Sequence, residues 1–535
     1  MAENDRASAW WVLVSVSIPL FAVCVNTTSI NTALPAIADS LDATLPSLQW
    51  VVNAYILVAA AFVVTGGRLG DLLGRRRVFL VGVGLFGAAS VLIALADSVG
   101  VLIVGRGLQG LGSAMIVPGS LSLVGVAFPP ERRTAAIGVW AAVVGLGFAM
   151  GPLIGGALTE SLGWEWVWWS NVPLVVLTIL LALARVPESR DKGELSIDLT
   201  GIVLLGGGAF ALILGLTQGR VWGWGDPRVL GIFAAAVALF VVFVFNEQRR
   251  RLPLVHFRFF STGGFTAGVV GTFSATLVLL GAYYFFNLFL QSFVVFDLSP
   301  LEAGAALLPL SFGMFVVSLA AGPIAQRVGG RGPIAIGFLS IGLGFLLVSQ
   351  IGQGSGVVDL IPGFLLIGAG QGMVTGPTSA VAVAAVPEED AGEASGVVNM
   401  GRYLGGSIGV TICGLVYLNT GISKLNDHLV GAGKAEEDSL DSVLSGAADT
   451  AREAVATLPP DTRGSFTVEA RHAAVDAFAA TNRVLAAVAF ATAVVSLLLL
   501  RGARARERGH HHLADVAAHL HTAHHVVADT PSSAR

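Results

Sequence analysis

Long apolar runs, separated by short clusters of glycine, proline and charged residues, repeat along nearly the whole chain. Runs long enough to cross a bilayer begin near Ala9, Leu48, Val78, Val101, Ala135, Trp166 and Ile197. Others begin near Val229, Gly264, Ala303, Pro333, Val357, Ala394 and Thr481. Each must be helical, because an open strand would leave backbone groups unpaired in lipid. The pattern predicts an all-α polytopic membrane protein with fourteen spans. Two segments break it. Residues 418–478 form a long polar insert before the last span, and within it 438–458 pattern as a short amphipathic helix. The tail from Gly509 carries seven histidines in an interrupted pattern, which fits a solvated, disordered segment better than a metal site.

Composition agrees with the pattern. Only 12% of the 535 residues are charged, and 54% are hydrophobic; a soluble domain carries about 25% charge. The net charge of −4 decides little, because the sign changes from loop to loop. Basic residues crowd the loops after even-numbered spans: Arg68 and Arg75–Arg77, Arg132 and Arg133, Arg185, Arg190 and Lys192, Arg249–Arg251, Arg327 and Arg331, then the tail from Arg501. The opposite short loops offer only Arg220 and Arg228. Both termini are therefore expected in the cytoplasm, which an even span count requires. Cys24 and Cys413 both fall in apolar stretches, so no disulfide framework or cysteine metal site is implied. The first apolar run lacks a signal-peptide cleavage pattern. Trp10, Trp11, Trp50, Trp164, Trp166, Trp168 and Trp169 cluster near span ends, as an interfacial aromatic belt would.

Four stretches carry more specific information. The loop after span 2, "GRLGDLLGRRR", has glycines that permit a tight turn and an Asp71 that can cap a helix or pair with an arginine. It resembles the signature of the major facilitator superfamily at Gly67, Leu69, Asp71, Gly74, Arg75 and Arg76. A degraded copy, "GPIAQRVGGR", keeps Gly322, Gly329 and Arg331 but has Gln326 in place of the acid. This repeat, 255 residues later, suggests two homologous halves. In span 4, "LIVGRGLQGLGSA" puts Arg106 inside an apolar run, where it could snorkel to the interface. It resembles the family's span-4 motif at Leu102, Arg106, Gln109, Gly110, Gly112 and Ala114, which the family links to proton transfer. In span 5, "GFAMGPLIGG" allows close helix packing and a proline bend. It is similar to the family's antiporter motif at Gly147, Gly151, Pro152, Gly155 and Gly156, and that motif marks exporters.

The span count and these motifs resemble the fourteen-span drug:proton antiporter subfamily. The resemblance implies two six-helix transporter halves, 9–185 and 263–500, with two extra central helices and a cytoplasmic linker in 186–262. It leaves out the insert, expected to be extracellular, and the His-rich tail, 501–535. It implies secondary active efflux of lipophilic drugs or antibiotics by proton antiport. The alternative is a dedicated exporter of one natural product, conferring self-resistance on its producer. The expected setting is the bacterial cytoplasmic membrane, with a lipophilic substrate, the proton and the bilayer as partners, no cofactor and no nucleic acid, in a monomer. A P-loop, an intramembrane metal cluster and a nucleophile–base pair at motif spacing are all missing from the sequence, which argues against an enzyme and an ATP-driven pump.

Span 1 raises the sharpest question. "NTTSINTALP" resembles the subfamily's span-1 motif at Thr28, Asn31, Ala33, Leu34 and Pro35, but Asn26 stands where the motif has Asp. At 100° per residue, Thr28, Asn31 and Thr32 share a face with Cys24 and Thr27, and Asn26 lies off it. Hydrogen bonding between helices and lining of a substrate cavity both fit that stripe. Asn26 and Arg106 fall at similar depth by helix rise. Arg106 and Arg402 are then deep cations without an equally deep acid. Buried cations need partners. An acidic substrate could supply the charge, and Asp39 or Asp71 could carry the coupling proton.

Overall fold

A computed structural model describes residues 3–189, 198–250, 256–386, 391–428, 443–444 and 448–528. Some side chains within those helices, including Asp71, Gln326 and those from Arg501 on, lie outside the described residues. The described chain is helical, with no strand. The first bundle comprises α1 (Glu3–Leu41), α2 (Leu45–Leu73), α3 (Arg75–Ala94), α4 (Val99–Ala127), α5 (Pro130–Leu162), α6 (Trp166–Trp169) and α7 (Asn171–Arg185). Next come α8 (Leu199–Trp222) and α9 (Pro227–Arg249). The second bundle comprises α10 (Gly263–Gln291), α11 (Pro300–Ala306), α12 (Leu308–Val328), α13 (Arg331–Val348), α14 (Ile361–Ala384) and α15 (Ala391–His428). It ends with α16 (Ala448–Thr457) and α17 (Pro460–Ala528).

Thirteen of the described helical segments are long and apolar enough to span a bilayer. The expected seventh span is α8, whose apolar segment Thr200–Leu216 is shorter. At 1.5 Å per residue it covers roughly 25 Å, near the lower limit for a crossing. Large apolar side chains remain exposed along the outward faces, such as Leu180, Val203, Val237, Phe312 and Ile336. A continuous apolar exterior of this kind requires lipid around it.

The internal repeat is visible in backbone geometry. Gly74 closes α2 with φ +113°, and Gly329, 255 positions on, closes α12 with φ +80°. A side chain is disfavoured in that region, so both sharp turns select glycine. The first turn is clasped from outside. Glu188 accepts a hydrogen bond from the Arg76 amide (3.1 Å) and lies 3.6 Å from the Arg77 Nε. The Arg75 amide donates to the Ser189 carbonyl (2.8 Å).

The polar insert is less separate than its composition suggests. The amphipathic helix expected within 438–458 is α16. From Pro460 the chain is already in α17, and Phe466, Ala470, Ala473, Ala474, Ala477 and Phe478 are buried. Their three- and four-residue spacing makes one apolar face. Phe478 stacks on Phe289 of α10 at 3.7 Å between centroids. The helix continues to Ala528, into the segment expected as a disordered tail.

The central pair is capped as its sequence allows. Asp198 accepts from the Gly201 amide (2.8 Å) at the start of α8, and Asp226 from the Arg228 amide (2.8 Å) at the start of α9. Asp198 is fully buried and meets Arg250 at 3.1 Å, beside buried Glu247.

Candidate functional site

Helix α1 uses opposite faces for two seams. Toward α5 it presents Cys24, Thr28 and Thr32, one helical turn apart. Facing them are Gly147, Gly151 and Gly155, also one turn apart. A Cβ on Gly147 would lie 2.6 Å from that of Cys24, and one on Gly151 would overlap Thr28 Oγ1. One on Gly155 would lie 2.5 Å from Thr32 Oγ1. Only glycine lets the two backbones approach this closely. Thr28 also donates to the Phe148 carbonyl across the seam (3.2 Å). The exporter-type motif is thus half of an α1–α5 zipper, and Thr28 and Thr32 are the other half. Neither of them, nor Asn31, borders the cavity described below. Pro152 and Gly156 face the other way, where Gly156 backs onto Pro300 and the Pro152 carbonyl onto Gly304.

The face carrying Asn26 meets α4. Arg106 is completely buried, so it does not snorkel to an interface. Its Nη1 donates to Asn26 Oδ1 (2.6 Å) and to Gln109 Oε1 (2.9 Å), and its Nε to the Val51 carbonyl (3.0 Å). The guanidinium carbon lies 4.4 Å from the centroid of the Tyr55 ring. Every one of these acceptors is neutral. Charge-assisted hydrogen bonds contribute about 1.5–3 kcal/mol each, and a desolvated cation–π contact about 2. A second layer fixes the acceptors: Gln109 Nε2 donates to Ser90 (2.7 Å), and the Trp168 indole to Gln109 Oε1 (3.3 Å). Trp168 is therefore an internal partner of the motif and fully buried, not part of an interfacial belt.

Arg402 lies elsewhere. It borders a narrow space between the bundles, walled by Leu20, Cys24 and Thr27 of α1, Tyr55 of α2, Val144 and Phe148 of α5, and Asn399 and Tyr403 of α15. Its free volume is only about 50 Å³. Arg402 Nη2 donates to Ser379 (2.9 Å), and its buried Nε has no partner among the described atoms. Buried carboxylates among the described residues are confined to Asp198 and Glu247, at one end of α8 and α9.

The hydrogen bonds described between the two bundles run from mid-helix to a single end, the one carrying the α1–α2 turn. At mid-helix, Tyr55 donates to Ser113 (3.0 Å), which pairs with Tyr403 (3.3 Å). Further along, Asn53 bonds Thr411 and Ser407 (both 3.0 Å), and Gln291 donates to the Thr32 carbonyl (3.2 Å). At the tip, Glu160 accepts from Ser299 (2.6 Å) and the Leu301 amide (3.0 Å). The sequence reading missed all of these. Apart from Glu160, each side chain is an ordinary Ser, Thr, Tyr, Asn or Gln, and only its partner in the other bundle makes it informative.

The motif residues near the α2–α3 turn stay apart from both arginines. A Cβ on Gly67 would lie 3.4 Å from Pro118 of α4, so Gly67 marks a helix contact; Gly74 and Arg75 form the clasped turn. Asp39 lies in the last turn of α1, partly buried and with a partner.

The family model of the Major Facilitator Superfamily matches residues 16–410. The chain is 37% identical over 416 residues to the tetracenomycin C resistance and export protein of Streptomyces glaucescens, covering 78% of this chain and 77% of that one. It is 32% identical over 504 residues to the multidrug efflux pump LfrA of Mycolicibacterium smegmatis, covering 92% and 97%. Among solved structures, a bacterial homologue of the lysosomal transporter Spinster, inward-facing and occupied, superposes with a TM-score of 0.62. That match has 16% identity and covers 94% of this chain and 98% of that one.

Proposed function

This chain belongs to the Major Facilitator Superfamily, and from that premise we propose how it moves its substrate. It is a multi-pass membrane drug efflux transporter and not an enzyme. The two bundles, taken as 9–185 and 263–500, rock about the space beside Arg402, with 186–262 as the inserted pair. Both termini face the cytoplasm of a bacterial cell, by the loop-charge argument. The end closed by Glu160, Ser299 and Gln291 is then extracellular, and the conformation is inward-facing. The observation that carries this reading is the one-ended distribution of hydrogen bonds between the bundles. Alternating access requires such a closed end to break while the other forms.

The α1–α5 zipper acts as a stiff unit within the first bundle. Pro152, with its missing amide donor, gives α5 a place to bend against α11. Proton exchange drives the cycle. With Asn26 neutral, the coupling carboxylate lies elsewhere, and Asp39 and Asp71 are the residues to test. If Asp39→Asn and Asp71→Asn both leave pH-driven transport intact, these two assignments fail. The unit is a monomer.

A susceptibility panel in an efflux-deficient host, with and without an uncoupler, tests the function. Resistance to several lipophilic antibiotics that an uncoupler abolishes is the expected result. Uncoupler-insensitive resistance would remove proton drive. A profile confined to one compound would favour the second reading, a dedicated self-resistance exporter. That reading is supported by the likeness to a protein named for resistance to and export of one compound, tetracenomycin C.

A further inference from the structure

The space between the bundles has an unusual charge inventory. Its walls are apolar over most of their area, with Leu20, Val23, Val144 and Phe148 as examples. Apart from Arg402, their polar groups are a thiol, hydroxyls, phenols, an indole and one amide, none carrying a formal charge at pH 7. The single formal charge among the lining residues is the guanidinium of Arg402. Arg402 makes no salt bridge among the described residues, and one hydrogen bond, to Ser379, is recorded for its five donors. Its buried Nε is left without a partner. The other deep arginine cannot serve this space, because Arg106 is enclosed behind the Tyr55 ring.

We infer that the export site takes lipophilic molecules carrying an acidic group, such as an aryl carboxylate, sulfonate or ionised phenol, with Arg402 as the counter-charge. The inference rests on the export reading above and specifies its substrate class. A planar guanidinium matches a carboxylate or sulfonate edge with two parallel N–H donors, and burial removes the competing water. A lipophilic cation would enter the same space against an uncompensated positive charge, with no carboxylate in the described lining to offset it. The space is tight as it stands and its accessible wall is almost wholly apolar, so the ligand must part the walls to reach the guanidinium, as an alternating-access site allows.

Binding is measured on the purified full chain by quenching of its tryptophan fluorescence. The probes are 8-anilinonaphthalene-1-sulfonate, ethidium and the uncharged dye Nile red. Export of the same dyes is measured in membrane vesicles, so loss of export and loss of charge preference are separate results. The sulfonate is expected to bind at least tenfold more tightly than ethidium. Arg402→Gln is expected to lower the sulfonate-to-Nile red affinity ratio tenfold or more, and Arg402→Lys to retain most of it. Thr27→Asp, which adds a carboxylate to the same wall, is expected to move preference toward ethidium. Tighter binding of ethidium than of the sulfonate by the unaltered protein overturns the inference. So does an unchanged sulfonate-to-Nile red ratio in Arg402→Gln. Anion-selective binding without export in vesicles would instead overturn the export reading.

Discussion

Arg106 and Arg402 carry the same charge into the same helical assembly, yet they are held in opposite ways. Arg106 lies inside one bundle and gives hydrogen bonds to three neutral oxygens from Nη1 and Nε, with Nη2 unpartnered and an aromatic ring against its face. Arg402 stands on the wall between bundles with one recorded hydrogen bond, to Ser379. The first arrangement has no room for a ligand and the second has little else to satisfy it. Depth and residue type do not separate the two roles; the acceptors around each guanidinium do.

The largest test of that contrast is thermodynamic. Arg106→Leu strands Asn26 Oδ1 in a dry interior and takes one donor each from Gln109 Oε1 and the Val51 carbonyl. The expected loss is about 1–3 kcal/mol for a buried neutral acceptor left unsatisfied, with about 2 more for the lost cation–π contact. It would be read as a strong fall in the melting temperature of the purified protein. Arg402→Leu removes one recorded hydrogen bond and should cost about 1 kcal/mol. Equal losses in the two variants would break the comparison.

Next in size is the zipper that sets the rotation of α1. A Cβ at Gly151 collides with Thr28 Oγ1 and lies 2.9 Å from the Val25 carbonyl, so Gly151→Ala forces the seam apart. Overpacking of this kind costs about 1–3 kcal/mol. Thr28→Ala should recover part of that loss, because it removes the nearer obstacle. Strict additivity of the two substitutions would show that they do not share a seam.

Much of this was legible in the sequence, and the failures have a common cause. Most span starts followed from run length, though the last, expected near Thr481, begins at Arg463, and the Gly74 and Gly329 turns followed from the degraded repeat. Helix rise alone placed Asn26 level with Arg106, and they touch. The shared face of Thr28 and Thr32 was also correct as a face. What it packs against could not be read, because that depends on the glycines of α5 arriving from 120 residues away. The neutral links between bundles were invisible for the same reason. The buried face of 466–478 was masked by the polar residues on its other side.

A third test asks whether the Arg106 cluster can be made electrical. Asn26→Asp places a carboxylate where Oδ1 now sits, 2.6 Å from Nη1. The new ion pair would add a titratable group at the motif position. Export in vesicles is expected to gain several-fold dependence on pH across about 2 units, the span over which a single group titrates. A profile that superimposes on that of the unaltered protein would mean that the cluster is structural throughout the cycle.

The smallest effect concerns the link through which the two regions touch. Ser113 joins Tyr55, whose ring covers Arg106, to Tyr403, the neighbour of Arg402. Ser113→Ala removes one bridging hydroxyl, worth about 0.5–1.5 kcal/mol. That is too little to unfold the protein but enough to shift a conformational balance several-fold, since each 1.4 kcal/mol is a factor of ten. Cys24, on the wall of the same space, reports the shift once Cys413 is replaced by serine. Maleimide labelling of Cys24 should quicken several-fold in Ser113→Ala, because the labelled state is the one in which the bundles have parted. An unchanged rate would mean that the closed end alone, from Asn53 to Glu160, holds the bundles together, and that the enclosed arginine and the cavity arginine are mechanically independent.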